Sequence, residues 1–138
     1  MLKLDHVALE VSDLDRALRF YTEALGLRLM FRQVDDVHHE AFAFLELGGG
    51  NLELLQCLDE TNQPAAFAPI PLRRSNCPHV ALLTEDLDAL LEHLESAAVP
   101  LVKGPLEIPG QVRWAYFTDP DGNVLEFVQW MNAEPAGN

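Results

Sequence analysis

Apolar residues along this chain are spaced first with a period of two, then with a helical period, and then with a period of two again. Residues 4–11 alternate like a half-buried strand, and the apolar positions of residues 14–25 recur at helical spacing. This pattern predicts a helix from about Asp13 to Ala24, with Ser12 and Asp15 placed as a capping box. Alternating segments predict three further strands, at Leu27–Val34, Glu40–Leu47 and Leu52–Leu58.

The second half of the chain repeats this order of elements. A short strand near Val80 leads into leucines at helical spacing from Leu87 to Leu94, and Pro100 stops the predicted helix. The link Asp119-Pro120-Asp121-Gly122-Asn123 has the chemistry of a tight turn between two strands. The three strands predicted after the helix are Leu101–Ile108, Arg113–Thr118 and Val124–Trp130.

An internal repeat explains why the two halves agree. The segment His6-Val7-Ala8-Leu9 recurs 73 residues later as His79-Val80-Ala81-Leu82. The same offset, carried forward without a gap, pairs Phe44 with Phe117, Glu53 with Glu126 and Gln56 with Gln129. We interpret residues 1–138 as a single domain built by duplication. It comprises a βαβββ module at 2–58, a linker at 59–76, a second βαβββ module at 77–131 and a short tail at 132–138.

Composition narrows the classes of partner. Nine Lys and Arg against 22 Asp and Glu give a net charge of −13, which would repel a phosphate backbone or an anionic membrane surface. No run of eighteen apolar residues is present, and the first residues lack the apolar stretch of a signal peptide. We therefore expect a cytoplasmic protein with a small-molecule substrate and without nucleic-acid or membrane partners.

Four polar residues stand out on the predicted strands. Strand alternation separates His6 from the aliphatic face that meets the helix, and the same holds for His79. Glu53 and Glu126 each lie within an otherwise apolar strand face, where an unpaired carboxylate would be costly.

These four residues converge if the two modules pack about a pseudo-twofold axis. Two imidazoles and two carboxylates without a thiolate suit Zn, Ni, Co, Mn or Fe(II), and an octahedral ion would keep two positions open for catalysis. A lone strand histidine is more often a core residue and a lone strand glutamate is more often solvated, but packing gives little reason to preserve both twice. The two βαβββ modules predict the α+β class. With these four residues facing inward, the prediction is of curved, half-barrel mixed sheets around a metal cavity. The other histidines, His38, His39 and His93, are assigned to the surface.

Several motifs together resemble the vicinal oxygen chelate superfamily, over nearly the whole chain. The resemblance rests on segments 4–9, 17–27, 51–55, 78–82 and 119–126, which include Leu-Asp-His-Val-Ala-Leu and Asp-Pro-Asp-Gly-Asn-Val-Leu-Glu. This superfamily groups glyoxalase I, methylmalonyl-CoA epimerase, extradiol dioxygenases, fosfomycin resistance enzymes and bleomycin resistance proteins.

The resemblance implies that His6, Glu53, His79 and Glu126 bind the metal. A His/Glu/His/Glu set is closest to glyoxalase I, a lyase whose metal-bound glutamate moves a proton, so the resemblance implies Glu126 as the base with Glu53 as the symmetric alternative. Family members pair their modules within a chain or exchange them between chains, and we expect a closely packed homodimer.

Other members of the superfamily give the alternative functions. These are an epimerase acting on a coenzyme A thioester, a metal-free protein that sequesters a drug, and an extradiol dioxygenase. Short bacterial glyoxalase I carries an Arg and an Asn that grip glutathione, at the positions occupied here by Glu10 and Cys57. A negative Glu10 would repel glutathione's carboxylates, so we expect a different small carbonyl compound.

Overall fold

The computed structural model describes residues 1–131, so the predicted tail at 132–138 lies outside the described residues. The chain divides into two compact units, Met1–Pro69 and a second unit that begins at Ile70. Between the last strand of the first unit and the first strand of the second, residues 58–79 form turns and a single β-bridge that joins Leu58 to Pro64. No helix among residues 1–131 is long and apolar enough to cross a membrane.

The first unit is a four-stranded mixed sheet with one helix. Its strands lie in the order β1-β4-β3-β2, with β1 parallel to β4 and the other neighbours antiparallel. The helix α1 continues through a π-helical segment, Phe20–Ala24. The element bounds are β1 His6–Glu10, α1 Leu14–Arg19, β2 Arg28–Asp35, β3 Glu40–Leu47 and β4 Gly50–Cys57.

The second unit repeats this topology. Its strands lie in the order β5-β8-β7-β6, and β5 is parallel to β8. The element bounds are β5 Val80–Leu83, α2 Leu87–Ser96, β6 Leu101–Ile108, β7 Val112–Thr118 and β8 Val124–Trp130. The α+β class with two βαβββ modules and open sheets is confirmed, and several predicted strand bounds agree residue for residue.

Each helix covers one face of its own sheet. In the first unit Leu14 and Tyr21 are buried together with Leu54 of β4, and in the second Leu87 and Leu94 are buried. The buried strand residues alternate in sequence with polar or aromatic ones, as expected for sheets with one face against a helix. Glu53 and Glu126 fall between buried positions of β4 and β8, whereas His6 is exposed and His79 half-buried.

The predicted capping box at the start of α1 is wrong by one residue. Asp13 is the N-cap, and its side chain accepts a hydrogen bond from the backbone N–H of Arg16. Ser12 instead accepts a hydrogen bond from the Arg16 guanidinium. Asp86 caps α2 in the same way through the N–H of Ala89.

The gapless pairing of Phe44 with Phe117 is also wrong. Phe44 lies opposite Glu53 in the β3–β4 ladder, whereas the residue opposite Glu126 is Tyr116. Phe117 is instead a buried core residue, 2% exposed. The reason is that nine residues separate Tyr116 from Glu126, whereas eight separate Phe44 from Glu53, which moves β7 one residue out of step with β3.

Candidate metal centre

The first unit brings His6 and Glu53 together. Parallel pairing of β1 with β4 places Ala8 beside Glu53, so His6 lies one step back on the same face. The Nε2 atom of His6 is 3.0 Å from Oε2 of Glu53, and the two side chains are 37% and 14% exposed.

The other ring nitrogen of His6 is also engaged. Nδ1 lies 2.6 Å from a carboxylate oxygen of Asp5. This hydrogen bond, aided by the negative charges of Glu53 and Asp5, raises the pKa of His6 above its ordinary value of 6.5 against the opposing effect of burial. A histidine whose Nδ1 is held by a carboxylate presents Nε2 in a fixed direction, as metal-binding histidines do.

The second unit contains the equivalent pair. His79 lies one residue before β5, and its Nε2 is 3.8 Å from Oε2 of Glu126. Its Nδ1 lies 2.8 Å from the backbone carbonyl oxygen of Asn76 and 3.7 Å from the sulfur of Cys77. Both side chains are mostly shielded, at 21% and 17% exposed. In both units, therefore, Nδ1 of the histidine has a nearby oxygen and Nε2 faces a carboxylate.

An aromatic ring from the third strand packs against each histidine. Phe44 meets His6 edge to face at 5.1 Å between centroids, and Tyr116 meets His79 in the same way at 5.3 Å. Burial is the main reason that the pKa of the Tyr116 phenol is raised, and the charge of Glu126 adds to it. The sequence pattern alone does not identify these two rings as neighbours of the histidines. Alternation along β7 places Tyr116 on the face of Glu126, but only the true hairpin register identifies it as the neighbour.

The structure brings the four predicted ligands together as two pairs, His6 with Glu53 and His79 with Glu126. Among residues 1–131, no group of three or more His, Cys, Asp or Glu side chains meets the geometry of a metal site. Convergence of all four residues remains a prediction. Within each unit the types of donor fit a divalent ion, because an imidazole nitrogen lies close to a carboxylate oxygen and the imidazole is already oriented.

The residues that replace the glutathione-binding pair are neighbours on the first sheet. Burial raises the pKa of the Cys57 thiol, and the nearby negative charge of Glu10 raises it further. A carboxylate next to a thiol offers no cation to an anionic substrate. The positive charge of Arg113 is also paired within the protein, because its guanidinium donates hydrogen bonds to both carboxylate oxygens of Asp88 on α2.

Comparisons with known proteins agree with this architecture. Residues 3–127 match the Glyoxalase/Bleomycin resistance protein/Dioxygenase superfamily. The chain is 29% identical to a virulence protein of Salmonella typhimurium, over 94% of this chain and 85% of the relative. It is 27% identical to a probable lactoylglutathione lyase of Vibrio parahaemolyticus, over 90% of this chain and 88% of the relative.

A solved structure extends the likeness to a protein that binds a ligand. The antibiotic binding protein TnmS3 from Streptomyces sp. CB03234 superposes with a TM-score of 0.70 at 26% identity, covering 94% of this chain and 97% of that one. The family match spans most of the chain and includes both His–Glu pairs. The chain therefore belongs to the glyoxalase/bleomycin resistance protein/dioxygenase superfamily.

Proposed function

We propose that this protein is a metal-dependent enzyme of the glyoxalase type, an isomerase or lyase that moves a proton on a small carbonyl or thioester substrate. The observation that carries this proposal is the duplicated His–Glu pair. In both units an imidazole Nε2 faces a carboxylate oxygen, at 3.0 Å and 3.8 Å, while Nδ1 has an oxygen neighbour of its own. Polar groups kept inside a mostly apolar face need a partner that offsets their desolvation, and a cation is such a partner.

The proposed ligands of one divalent ion are His6, Glu53, His79 and Glu126. When bound, an ion of this kind polarises the substrate carbonyl and makes the neighbouring C–H more acidic. One of the two glutamates takes up that proton and returns it to the substrate, with the resemblance to glyoxalase I favouring Glu126 over Glu53. Phe44 and Tyr116 pack edge to face against His6 and His79 from the third strand of each unit.

The relatives support the reaction type more than the substrate. One relative is named a probable lactoylglutathione lyase. Glu10 and Cys57 argue against a glutathione adduct, because glutathione carries two carboxylates and the Glu10 carboxylate lies beside Cys57. A small neutral carbonyl compound is the proposed substrate class, and a coenzyme A thioester is its alternative.

A second candidate function is the binding of an apolar ligand without chemistry. The likeness to an antibiotic binding protein and three clustered phenylalanines of the first unit favour it. Phe31 stacks on Phe44 at 4.9 Å, and Phe42 meets both rings edge to face. Such a role needs no metal. An extradiol dioxygenase is a third candidate and would require Fe(II).

Three assays separate these functions. The protein loaded in turn with Zn, Ni, Co, Mn and anaerobic Fe(II) is offered methylglyoxal with and without glutathione, methylmalonyl-CoA in deuterated water, and catechol with oxygen. Metal-dependent turnover of a carbonyl compound or thioester supports the proposal, and deuterium at the α carbon selects the epimerase. Ring cleavage would favour the dioxygenase. Failure to bind any of these metals would leave the ligand-binding function.

We also propose that the protein is a cytoplasmic homodimer. Exposed apolar residues on β2, an edge strand of the first sheet, support a partner surface there. They are Leu29, Met30, Phe31 and Val34. The two free and exposed thiols, Cys57 and Cys77, support a reducing compartment.

A further inference from the structure

The two proposed histidine ligands differ in the group that holds their second ring nitrogen. Nδ1 of His6 lies 2.6 Å from Oδ2 of Asp5, and Nδ1 of His79 lies 2.8 Å from the backbone carbonyl oxygen of Asn76. A carboxylate and a backbone carbonyl can only accept hydrogen bonds, so Nδ1 is the donor in both cases. Nε2 is therefore the nitrogen that each ring offers to a metal ion.

The first sheet holds Asp5 in place for this contact. Asp5 directly precedes β1, and its backbone carbonyl accepts a hydrogen bond of 2.9 Å from the N–H of Asn51 on β4. Since this bond and the following strand fix the main chain, only two side-chain torsions have to be restricted to bring the carboxylate to His6. This small entropic cost allows a side chain that is 83% exposed to stay on the histidine.

The second unit carries a proline in the place of Asp5. The offset of 73 residues that relates His6 to His79 carries Asp5 to Pro78. Nδ1 of His79 uses a main-chain oxygen instead, and the sulfur of Cys77 lies farther away, at 3.7 Å. Of the two ligands, His6 is thus backed by a negative charge and His79 by a neutral oxygen.

We propose that Asp5 is a positioning residue that makes His6 the stronger of the two histidine ligands of the metal centre. The inference rests on the proposed function. A carboxylate at Nδ1 fixes the orientation of the ring and raises the basicity of Nε2, whereas a carbonyl oxygen fixes the orientation without a full charge. The His6–Glu53 pair, in which Nε2 is 3.0 Å from the carboxylate, is accordingly the half of the site that binds the ion more firmly.

Positioning by Asp5 has to be separated from simple attraction, because any negative charge near the site attracts a cation. That attraction weakens with distance and with salt, and it does not depend on a contact with Nδ1. Asp36 provides the comparison, since it is exposed in the connection between β2 and β3. This connection lies at the opposite edge and end of the sheet, because β3 begins opposite Cys57 whereas His6 lies opposite Asn51.

The test is a competition titration of Co²⁺ against a chromophoric chelator, combined with the visible spectrum of bound Co²⁺. Asp5→Ala should alter the spectrum and weaken the affinity by about tenfold, the lower end of the usual range, since the Asp5 side chain is mostly exposed. Asp5→Asn keeps an acceptor oxygen without the charge and should weaken the affinity less. The matched variant Asp36→Asn should bind like the wild-type protein, and His6→Ala should lose more affinity than His79→Ala.

Nuclear magnetic resonance of the Zn²⁺-loaded protein gives a second readout that reports on each ring separately. The Nδ1 proton of His6 should move upfield in Asp5→Asn while that of His79 stays in place, and circular dichroism checks the fold of every variant.

Four results would overturn the inference and leave the proposed function intact. They are wild-type affinity in folded Asp5→Ala, a loss in Asp36→Asn as large as in Asp5→Asn, a larger loss in His79→Ala than in His6→Ala, and an unmoved His6 resonance. Failure of the wild-type protein to bind Co²⁺ or any other divalent metal would instead overturn the proposed function.

Discussion

The side-chain oxygen of Gln56, on β4, accepts a hydrogen bond of 2.9 Å from the backbone N–H of Leu14, the first residue of α1. Gln129 on β8 makes the same bond, also 2.9 Å, to Leu87 at the start of α2. The first backbone N–H groups of a helix have no partner within the helix. Each glutamine therefore joins a helix to its sheet while satisfying one of these groups.

Replacing Gln56 by Met should destabilise the protein by about 1 kcal/mol, because the N–H of Leu14 loses its partner in a partly buried position. Urea unfolding followed by circular dichroism measures the change. The control is Gln33→Met on β2, whose side chain is exposed and should change stability by less than about 0.5 kcal/mol. Equal effects of the two variants would contradict the capping role.

The repeat in the sequence predicted more than the strand pattern did. It matched Gln56 with Gln129 before either had a role, and the structure provides the role for both. The offset also related His6 to His79 and Glu53 to Glu126, and each His–Glu pair is in contact within its unit. Side chains alternate between the two faces of a strand, so the sequence alone could predict the face on which each of these residues lies.

Sequence reasoning failed where the two modules are not strict copies. The pairing of Phe44 with Phe117 assumed equal hairpins, and one additional residue in the second hairpin shifts every side chain of β7 by one position. This shift hid the position of Tyr116 opposite Glu126. The N-cap residue Asp13 was missed because Ser12 is an equally good capping residue by type, and only the backbone conformation distinguishes them.

Leu54 provides a test of the core of the first unit. It is 0% exposed beneath α1, and Leu54→Ala should reduce the free energy of unfolding by roughly 2–5 kcal/mol, through lost burial and the cavity that remains. Leu101→Ala on β6 removes the same atoms from a residue that is 48% exposed and should cost far less. Chemical denaturation measures both variants, and a Leu101 effect as large as that of Leu54 would contradict this description of the core.

The His38–Asp35 ion pair predicts a pH dependence. Nδ1 of His38 lies 2.8 Å from Asp35, and this hydrogen bond raises the pKa of His38 above 6.5. Hydrogen bonds from the backbone N–H and then the side chain of His38 lower the pKa of Asp35 below 3.8. The ion pair therefore contributes its full stabilisation of the folded protein only between pH 3.8 and pH 6.5, the ordinary pKa values of Asp and His. It is lost as pH rises through the raised pKa of His38, or falls through the lowered pKa of Asp35.

Nuclear magnetic resonance titration of the histidine ring protons measures this effect directly. The pKa of His38 should fall toward 6.5 in Asp35→Asn and should stay raised in Asp88→Asn, because Asp88 lies on α2 in the other unit. An unchanged His38 titration in the variant would show that the ion pair does not form in solution.

The proposed homodimer predicts a particle of about twice the 15.4 kDa chain mass in light scattering at micromolar concentration. Phe31→Glu, on the exposed part of β2, should shift the distribution toward the monomer by placing a charge in an apolar interface. Lys3→Glu near the first residue is exposed as well and should leave the mass unchanged. A wild-type monomer would contradict the proposed assembly.

The proposed metal centre is tested most directly by its stoichiometry. Wild-type protein, dialysed against Zn²⁺ or Co²⁺ and then against metal-free buffer, should retain about one ion per set of His6, Glu53, His79 and Glu126 by elemental analysis. His6→Ala, His79→Ala and Glu126→Ala should each lose most of it, while His93→Ala, on the exposed surface of α2, should retain it. Equal metal content in the wild-type protein and the three ligand variants would show that these residues do not form the metal site.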